Sequence, residues 1–122
     1  MRQIILSNTV KGIYLEKNKV INELREIAKK ALEKFPEILE IHLFGSIANN
    51  TYTGISDIDI FILIEKSNEK NPIERLKPYY FYFSDFLNIS FDLLVCTKRE
   101  LNQNDFYKKI LKNSIILIKR SI

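Results

Sequence analysis

The chain has little sulfur and almost no imidazole: one cysteine, Cys96, and one histidine, His42. A lone cysteine cannot close an internal disulfide, which fits a reducing compartment, so a cytoplasmic location is expected. Single copies of His and Cys also leave no clustered nitrogen and sulfur ligands of the kind a zinc site uses. The longest strongly apolar stretch, Ile58 to Ile64, is far too short to cross a bilayer. The first residues, MRQIILSNTVKG, show neither a sustained apolar region nor a small-residue cleavage site, so no secretory signal is read there. Internal repeats and low-complexity tracts are also missing.

Charge of one sign is in modest excess. Nineteen Lys and Arg against fifteen Asp and Glu give a formal net charge of +4, and the pI is near 9.1. Such a balance helps attract nucleotide phosphates or an acidic partner. The lysines are spread along the helices without a dense basic block, so they read as solvated helix surface rather than as a nucleic-acid patch.

The 122 residues fit one domain, 1–122, with little room for a second. Within it, Val20, Leu24, Ile27, Ala28, Ala31, Leu32 and Phe35 recur at spacings of three and four. They predict an amphipathic helix over 17–35 that Pro36 ends. Leu39 to Phe44 reads as a strand running into Gly45. Asp57 to Glu65 reads as a second strand, and its Ile-rich middle suits burial on both faces of an α/β sheet.

Pro72 suits a first helical turn, and residues 73–87 read as a helix in which Pro78 must sit in the first turn or cause a kink. Its register is read with Leu76, Tyr80 (or Tyr79), Phe83 and Leu87 toward the core. Some of Phe81, Tyr82 and Phe86 are then left for another face, where they could meet a partner or a second copy. Ile89 to Cys96 is a third strand. Asn104 and Asp105 cap a short helix through Leu111, Asn113 takes a left-handed C-terminal position, and Ile115 to Lys119 forms a last strand. Residues 1–15 are read as an N-terminal arm or an edge strand. The alternation predicts an α/β fold, a small mixed sheet with helices packed on it.

The chemistry-bearing stretch is FGSIANNTYTGISDIDIFILIE, Phe44 to Glu65. Asp57 and Asp59, two apart on a strand, project to one face and lie about 6.5 Å apart along the chain. That arrangement suits two divalent cations clamping the oxygens of an in-line phosphoryl displacement. Carboxylate ligands favour Mg²⁺, or Mn²⁺, over Zn²⁺. Gly45 lets backbone approach a phosphate, and Ser46 adds a hydroxyl donor where a short helix would open. Asp92, set among Phe91, Leu93 and Leu94, would be costly to ionise in a strand unless paired or metal-bound. It is therefore the candidate third ligand and general base.

These residues resemble the nucleotidyltransferase superfamily that includes DNA polymerase beta, and specifically its minimal (MNT) branch. The signature is Gly-Ser, ten residues, Asp-x-Asp and a third strand Asp, carried here by Gly45, Ser46, Asp57, Asp59 and Asp92. The likeness spans about Leu24 to Lys119, including the closing FYKKILKNSIILIK. It implies a polymerase-beta palm-like fold, ATP as substrate and two Mg²⁺ ions held by Asp57, Asp59 and Asp92. It further implies triphosphate contacts from Gly45, Ser46 and the Ser56 backbone. Members commonly read Gly-Ser-x-Ala-Arg-Gly, whereas this chain has Asn49 at the arginine position, losing a charge and several donors.

Minimal members typically pair with small helical HEPN proteins as antitoxins and adenylylate a tyrosine of that toxin. The resemblance therefore implies transfer of AMP from ATP to a partner tyrosine, with a HEPN-like partner and no membrane. A homodimer stays open. Two alternatives are carried: an antitoxin that masks its toxin without catalysis, which Asn49 favours, and transfer to a small-molecule hydroxyl. Nothing resembles a template-binding module, so a polymerase is not expected.

Overall fold

The computed structural model describes residues 10–45 and 58–121, with side chains from Lys17 onward. Four strands form one sheet: β1 (Ile38–Phe44), β2 (Ile58–Ile64), β3 (Phe91–Thr97) and β4 (Ile115–Lys119), in the order β3-β2-β1-β4. β1 runs antiparallel to both β2 and β4, while β2 and β3 are parallel. The helices are α1 (Val10–Lys34), α2 (Pro72–Ser84), α3 (Lys98–Asn102) and α4 (Asp105–Lys112). The expected small mixed sheet with helices packed on it is the fold observed.

Strand alternation sorts the core into two layers. Ile58, Ile60, Ile62 and Ile64 of β2 join Ile38, Ile41, Leu43, Val95 and Leu117 in one buried cluster. The α1 residues Val20, Ile21, Leu24, Ile27, Ala28 and Ala31 pack there, with Tyr79, Tyr82 and Phe83 of α2. Phe61, Leu63 and Cys96 form a second cluster on the opposite face, covered by Leu101, Tyr107, Ile110 and Leu111 from α3 and α4. β2 is therefore buried on both faces, as its Ile-rich sequence predicts. Each fully buried Ile contributes roughly 1.5–3 kcal/mol from apolar burial alone.

The parallel β2–β3 pair needs a crossover, and α2 provides it. Asn71 caps α2, its Oδ1 accepting from the amides of Ile73 at 2.9 Å and Glu74 at 3.3 Å, and Pro72 opens the first turn. The helix continues across Pro78. Its register follows the Tyr79 alternative: Tyr79, Phe83 and Leu87 are buried and Phe81 is exposed, as is Tyr80, while Tyr82 is buried as well. The Tyr82 hydroxyl donates to the Ile27 carbonyl at 2.7 Å, and the Tyr79 hydroxyl donates to Glu37 at 2.5 Å. Those two polar tips hold the helix in the register that buries both rings. Tyr80 stacks on Phe91 at 4.9 Å.

Further corrections concern helix ends. α1 starts at Val10, so residues 10–15 are helical rather than an arm or edge strand; residues 1–9 lie outside those described. Arg120 donates to the carbonyls of Leu32, Phe35 and Ile38, which satisfies acceptors around the α1 C-terminus. Asn104 caps α4 as expected, accepting from the Tyr107 amide at 3.1 Å. Asn113 is not left-handed: its φ is −104°. Its amide instead donates to the carbonyls of Ile110 and Leu111, a tightened last turn that needs no positive φ.

Candidate active site

The register brings the relevant residues to one end of the sheet. Phe44 opposes Asp59 across the antiparallel β1–β2 ladder, and Asp59 pairs with Asp92 across the parallel β2–β3 ladder. Paired positions on neighbouring strands share a face and lie about 4.8 Å apart. Alternation from Phe61 and Leu63, and from Leu94 and Cys96, puts both carboxylates on the α3/α4 side. Asp59 is half-buried and Asp92 is exposed. The expectation that Asp92 is a costly buried ion is therefore corrected. It is the second residue of β3, at the edge of the described sheet, and its register with Asp59 is what argues for a role.

Gly45 closes the third side. Its φ is +80°, a conformation that side-chain-bearing residues rarely adopt. A Cβ at this position would overlap Asp59 Oδ2 and lie 2.8 Å from Asp59 Cγ. The glycine thus serves two ends at once: it turns the chain at the end of β1 and leaves space that the carboxylate fills. The Ile58 amide donates to the Ser90 carbonyl at 3.1 Å, fastening the start of β2 beside the start of β3.

Ser46, Asn49, Ser56 and Asp57 lie outside the described residues. Among the described residues no three His, Cys, Asp or Glu side chains come together as a metal site. The Asp59 and Asp92 pair nevertheless fits a hard divalent cation, because the donors at this end are carboxylate oxygens. The softer ligands are committed elsewhere. His42 is buried, with Nδ1 2.8 Å from Ser114 Oγ and Nε2 2.8 Å from Glu40 Oε1. Ser114 gives its own proton to the Leu111 carbonyl at 2.7 Å, so this Glu–His–Ser row is a clamp between β1 and β4 rather than a nucleophile. Burial pushes the Cys96 thiol up to about 12, with Glu100 adding to the effect and Arg75 opposing it.

Sequence reasoning missed a cleft beside Gly45. It has a volume of about 280 Å³ and is lined by Phe44, Gly45, Phe106, Lys109, Ile110 and Asn113. Phe106, Lys109 and Asn113 recur at helical spacing, so they form one stripe beside the stripe that Tyr107, Ile110 and Leu111 bury. The available signal was Phe106, a large apolar residue off the core-facing stripe of a strongly amphipathic helix, and it is 63% exposed.

The family profile described as "Nucleotidyltransferase domain" matches residues 24–118. The chain belongs to this nucleotidyltransferase family. A Methanocaldococcus jannaschii protein provisionally named a protein adenylyltransferase is 36% identical over 105 residues, covering 82% of this chain and 99% of its own. The crystal structure of a provisionally named nucleotidyltransferase from Sulfolobus solfataricus superposes with a TM-score of 0.64 at 24% identity. It covers 88% of this chain and 86% of that one. A toxin–antitoxin structure with AMP-PNP gives a TM-score of 0.52 at 21% identity, covering 80% and 74%. These two likenesses concern the fold. The protein is an enzyme of the nucleotidyltransferase class, whose members normally use a nucleoside triphosphate and a divalent metal. Among the described residues, no helix of this nucleotidyltransferase is long and apolar enough to cross a membrane.

Proposed function

We propose that this nucleotidyltransferase is the MNT antitoxin of a toxin–antitoxin pair, moving AMP from ATP to a tyrosine hydroxyl of a HEPN-like partner toxin. The observation that carries the reading is the register of Asp59 with Asp92, with Gly45 packed against Asp59. The name of the Methanocaldococcus jannaschii relative supports protein adenylylation, and the toxin–antitoxin neighbour supports the partner class.

Asp57, Asp59 and Asp92 would hold Mg²⁺ or Mn²⁺, two ions in all. When bound, the metal supplies charge neutralisation on the phosphates and a lowered acceptor-hydroxyl pKa. Gly45, Ser46 and the Ser56 backbone receive the triphosphate. The tyrosine oxygen attacks the α-phosphorus, a new P–O bond forms, and the bond to the bridging oxygen breaks. Pyrophosphate leaves with that electron pair, and Asp92 takes the hydroxyl proton. The exposure of Asp92 suits an acceptor presented by a protein surface.

The test is incubation of the purified protein with labelled ATP, Mg²⁺ and the helical protein encoded beside it, repeated with Asp57→Asn and Asp59→Asn. Label on a partner tyrosine that needs both carboxylates supports the reading. A partner that is bound and inhibited but never labelled would sink it in favour of masking without catalysis.

A further inference from the structure

β3 lies at the edge of the described sheet, and its backbone is capped along one half only. Backbone groups of successive residues on a strand point alternately to its two sides. The Ser90 carbonyl points inward, accepting from the Ile58 amide of β2 at 3.1 Å. The outward groups therefore belong to Phe91, Leu93, Val95 and Thr97. The Val95 carbonyl accepts from Arg75 Nη2 at 3.3 Å, and the Thr97 amide donates to Glu100 Oε1 at 2.8 Å. Arg75 is held there at a cost, because its buried Nε has no partner among the described residues. Among the described residues nothing caps the outward amides and carbonyls of Phe91 and Leu93. Folded proteins usually cover or disrupt such an edge, because an open one is a template for another strand.

The uncapped half is also the half that carries the candidate chemistry. Asp92 lies between Phe91 and Leu93, in register with Asp59. Phe91 belongs to the α1/α2 face of the sheet, and Asp92 to the opposite one. On the α2 side Tyr80 stacks on Phe91 at 4.9 Å, and Phe81 meets Tyr80 edge-on at 6.3 Å. These two rings are 41% and 59% exposed, although Tyr79, Tyr82 and Phe83 already fill the core contact of α2. A strand added to this edge would lie about 4.8 Å from β3. Its residue opposite Asp92 would project to the carboxylate face, and the residues on either side of it would project toward Phe91 and Tyr80. Backbone pairing of this kind supplies affinity, and the alternate side chains supply selectivity.

A second copy of the chain is a poor occupant. Antiparallel pairing through Phe91 and Leu93 of both copies would set Asp92 directly against its own counterpart, where like charges repel. A register shifted toward Val95 meets the Arg75 guanidinium. We propose that the β3 edge at Phe91 and Leu93 is the acceptor-docking site. An extended segment of the partner protein pairs there as a further strand, its tyrosine opposite Asp92 and an apolar neighbour against Tyr80 and Phe81. The inference rests on the adenylyl transfer proposed above and adds the conformation and flanking residues of the acceptor. Tyr80 and Phe81 take no part in the chemical step.

The test uses the intact protein with Mg²⁺-ATP and the helical protein encoded beside it. Hydrogen exchange read at single amides should slow at least tenfold at Leu93 and Val95 when that protein is added. Tyr80→Ala and Phe81→Ala should each raise the KM for the protein acceptor roughly tenfold, the scale of truncating one aromatic anchor at an interface. The KM for ATP should stay as in the parent, and circular dichroism should be unchanged because both rings are exposed. A labelled partner without slower exchange at Leu93 and Val95, or with the acceptor KM unmoved in both variants, overturns the docking site and leaves the transfer reaction standing. Slowing that needs no partner and grows with protein concentration means a second copy on this edge, and it also overturns the docking site. A partner that is never labelled overturns the reaction and the docking site together.

Discussion

Gly45 rests its bare Cα against the carboxylate of Asp59, in the space a side chain would otherwise take. This contact joins the turn after β1 to the start of β2. It makes a residue with no functional group part of the geometry of one that has such a group.

Gly45→Ala tests that link. The positive φ alone should cost about 1–2 kcal/mol of stability. The added methyl must also displace the Asp59 side chain, and displacements near 1 Å cost transfer rates roughly 100-fold. Urea denaturation paired with AMP-transfer assays should show a modest stability loss beside a large activity loss. A variant with full activity would show that Asp59 has no need of its present position.

Asp92→Asn should separate function from folding in the other direction. Because Asp92 is exposed, stability should change by no more than about 0.5 kcal/mol. If the carboxylate takes the acceptor proton, the transfer rate should fall by roughly 10²–10⁴. Single-turnover kinetics with saturating nucleotide would read this directly. A wild-type rate rules out the role of base.

Acid stability should depend on Glu100. Burial, the largest single influence, pushes its pKa up, but the Thr97 amide and the Arg75 guanidinium together outweigh it and leave the carboxyl below its ordinary value. Thr97 donates its amide to Glu100 Oε1 at 2.8 Å, and Arg75 Nη1 lies 3.1 Å from the same oxygen. A depressed folded value means the stabilisation is present above the unfolded carboxylate range near pH 4.5 and is lost as pH falls through the folded value. Glu100→Gln should flatten that part of the stability–pH curve. An unchanged acid limb would mean the capping carboxylate contributes little.

Cys96 should be chemically silent in the folded protein. With its thiol pushed up to about 12 by burial, iodoacetamide labelling at pH 8 should be on the order of a thousandfold slower than in the unfolded chain. Mass spectrometry before and after urea treatment measures the ratio. Rapid labelling without urea would show that β3 opens readily.

The two α2 tyrosine and phenylalanine neighbours should differ in worth. Tyr82→Phe removes only the hydroxyl that donates to Ile27 and should cost about 1 kcal/mol. Phe83→Ala empties a fully buried site and should cost roughly 3–5 kcal/mol. Equal losses would mean that the hydroxyl, rather than the ring, fastens α2.

The strands were legible because Ile-rich segments flanked by polar turns leave few other readings, and the Asn104 cap was equally plain. The α2 register was legible in part: Phe83 and Leu87 were placed toward the core, but five aromatics in a row, Tyr79 to Phe83, left Tyr79 against Tyr80 undecided and Tyr82 unplaced. What decides it is polar: the hydroxyls of Tyr79 and Tyr82 find Glu37 and Ile27, and neither partner is adjacent in sequence. α3 escaped notice because five residues are too few for periodicity, although Thr97 and Glu100 hold the spacing of a reciprocal cap. Of the candidate site, Gly45 and Asp59 were singled out by spacing and Asp92 by its apolar strand neighbours, and the sheet register sets the three side by side. The Phe106 and Lys109 wall depends on where α4 lies across β1, which no local signal specifies.

β3 is an edge strand of the described sheet, and Asp92 stands near its beginning. Approach to this carboxylate is therefore lateral, along a flank rather than down a well. Among the described residues nothing encloses this exposed carboxylate, so they do not screen an incoming molecule by size. On the proposed reading, selection would come from how well an acceptor's contour lies along that flank, and the described residues set no greater steric obstacle to a large folded acceptor than to a free amino acid.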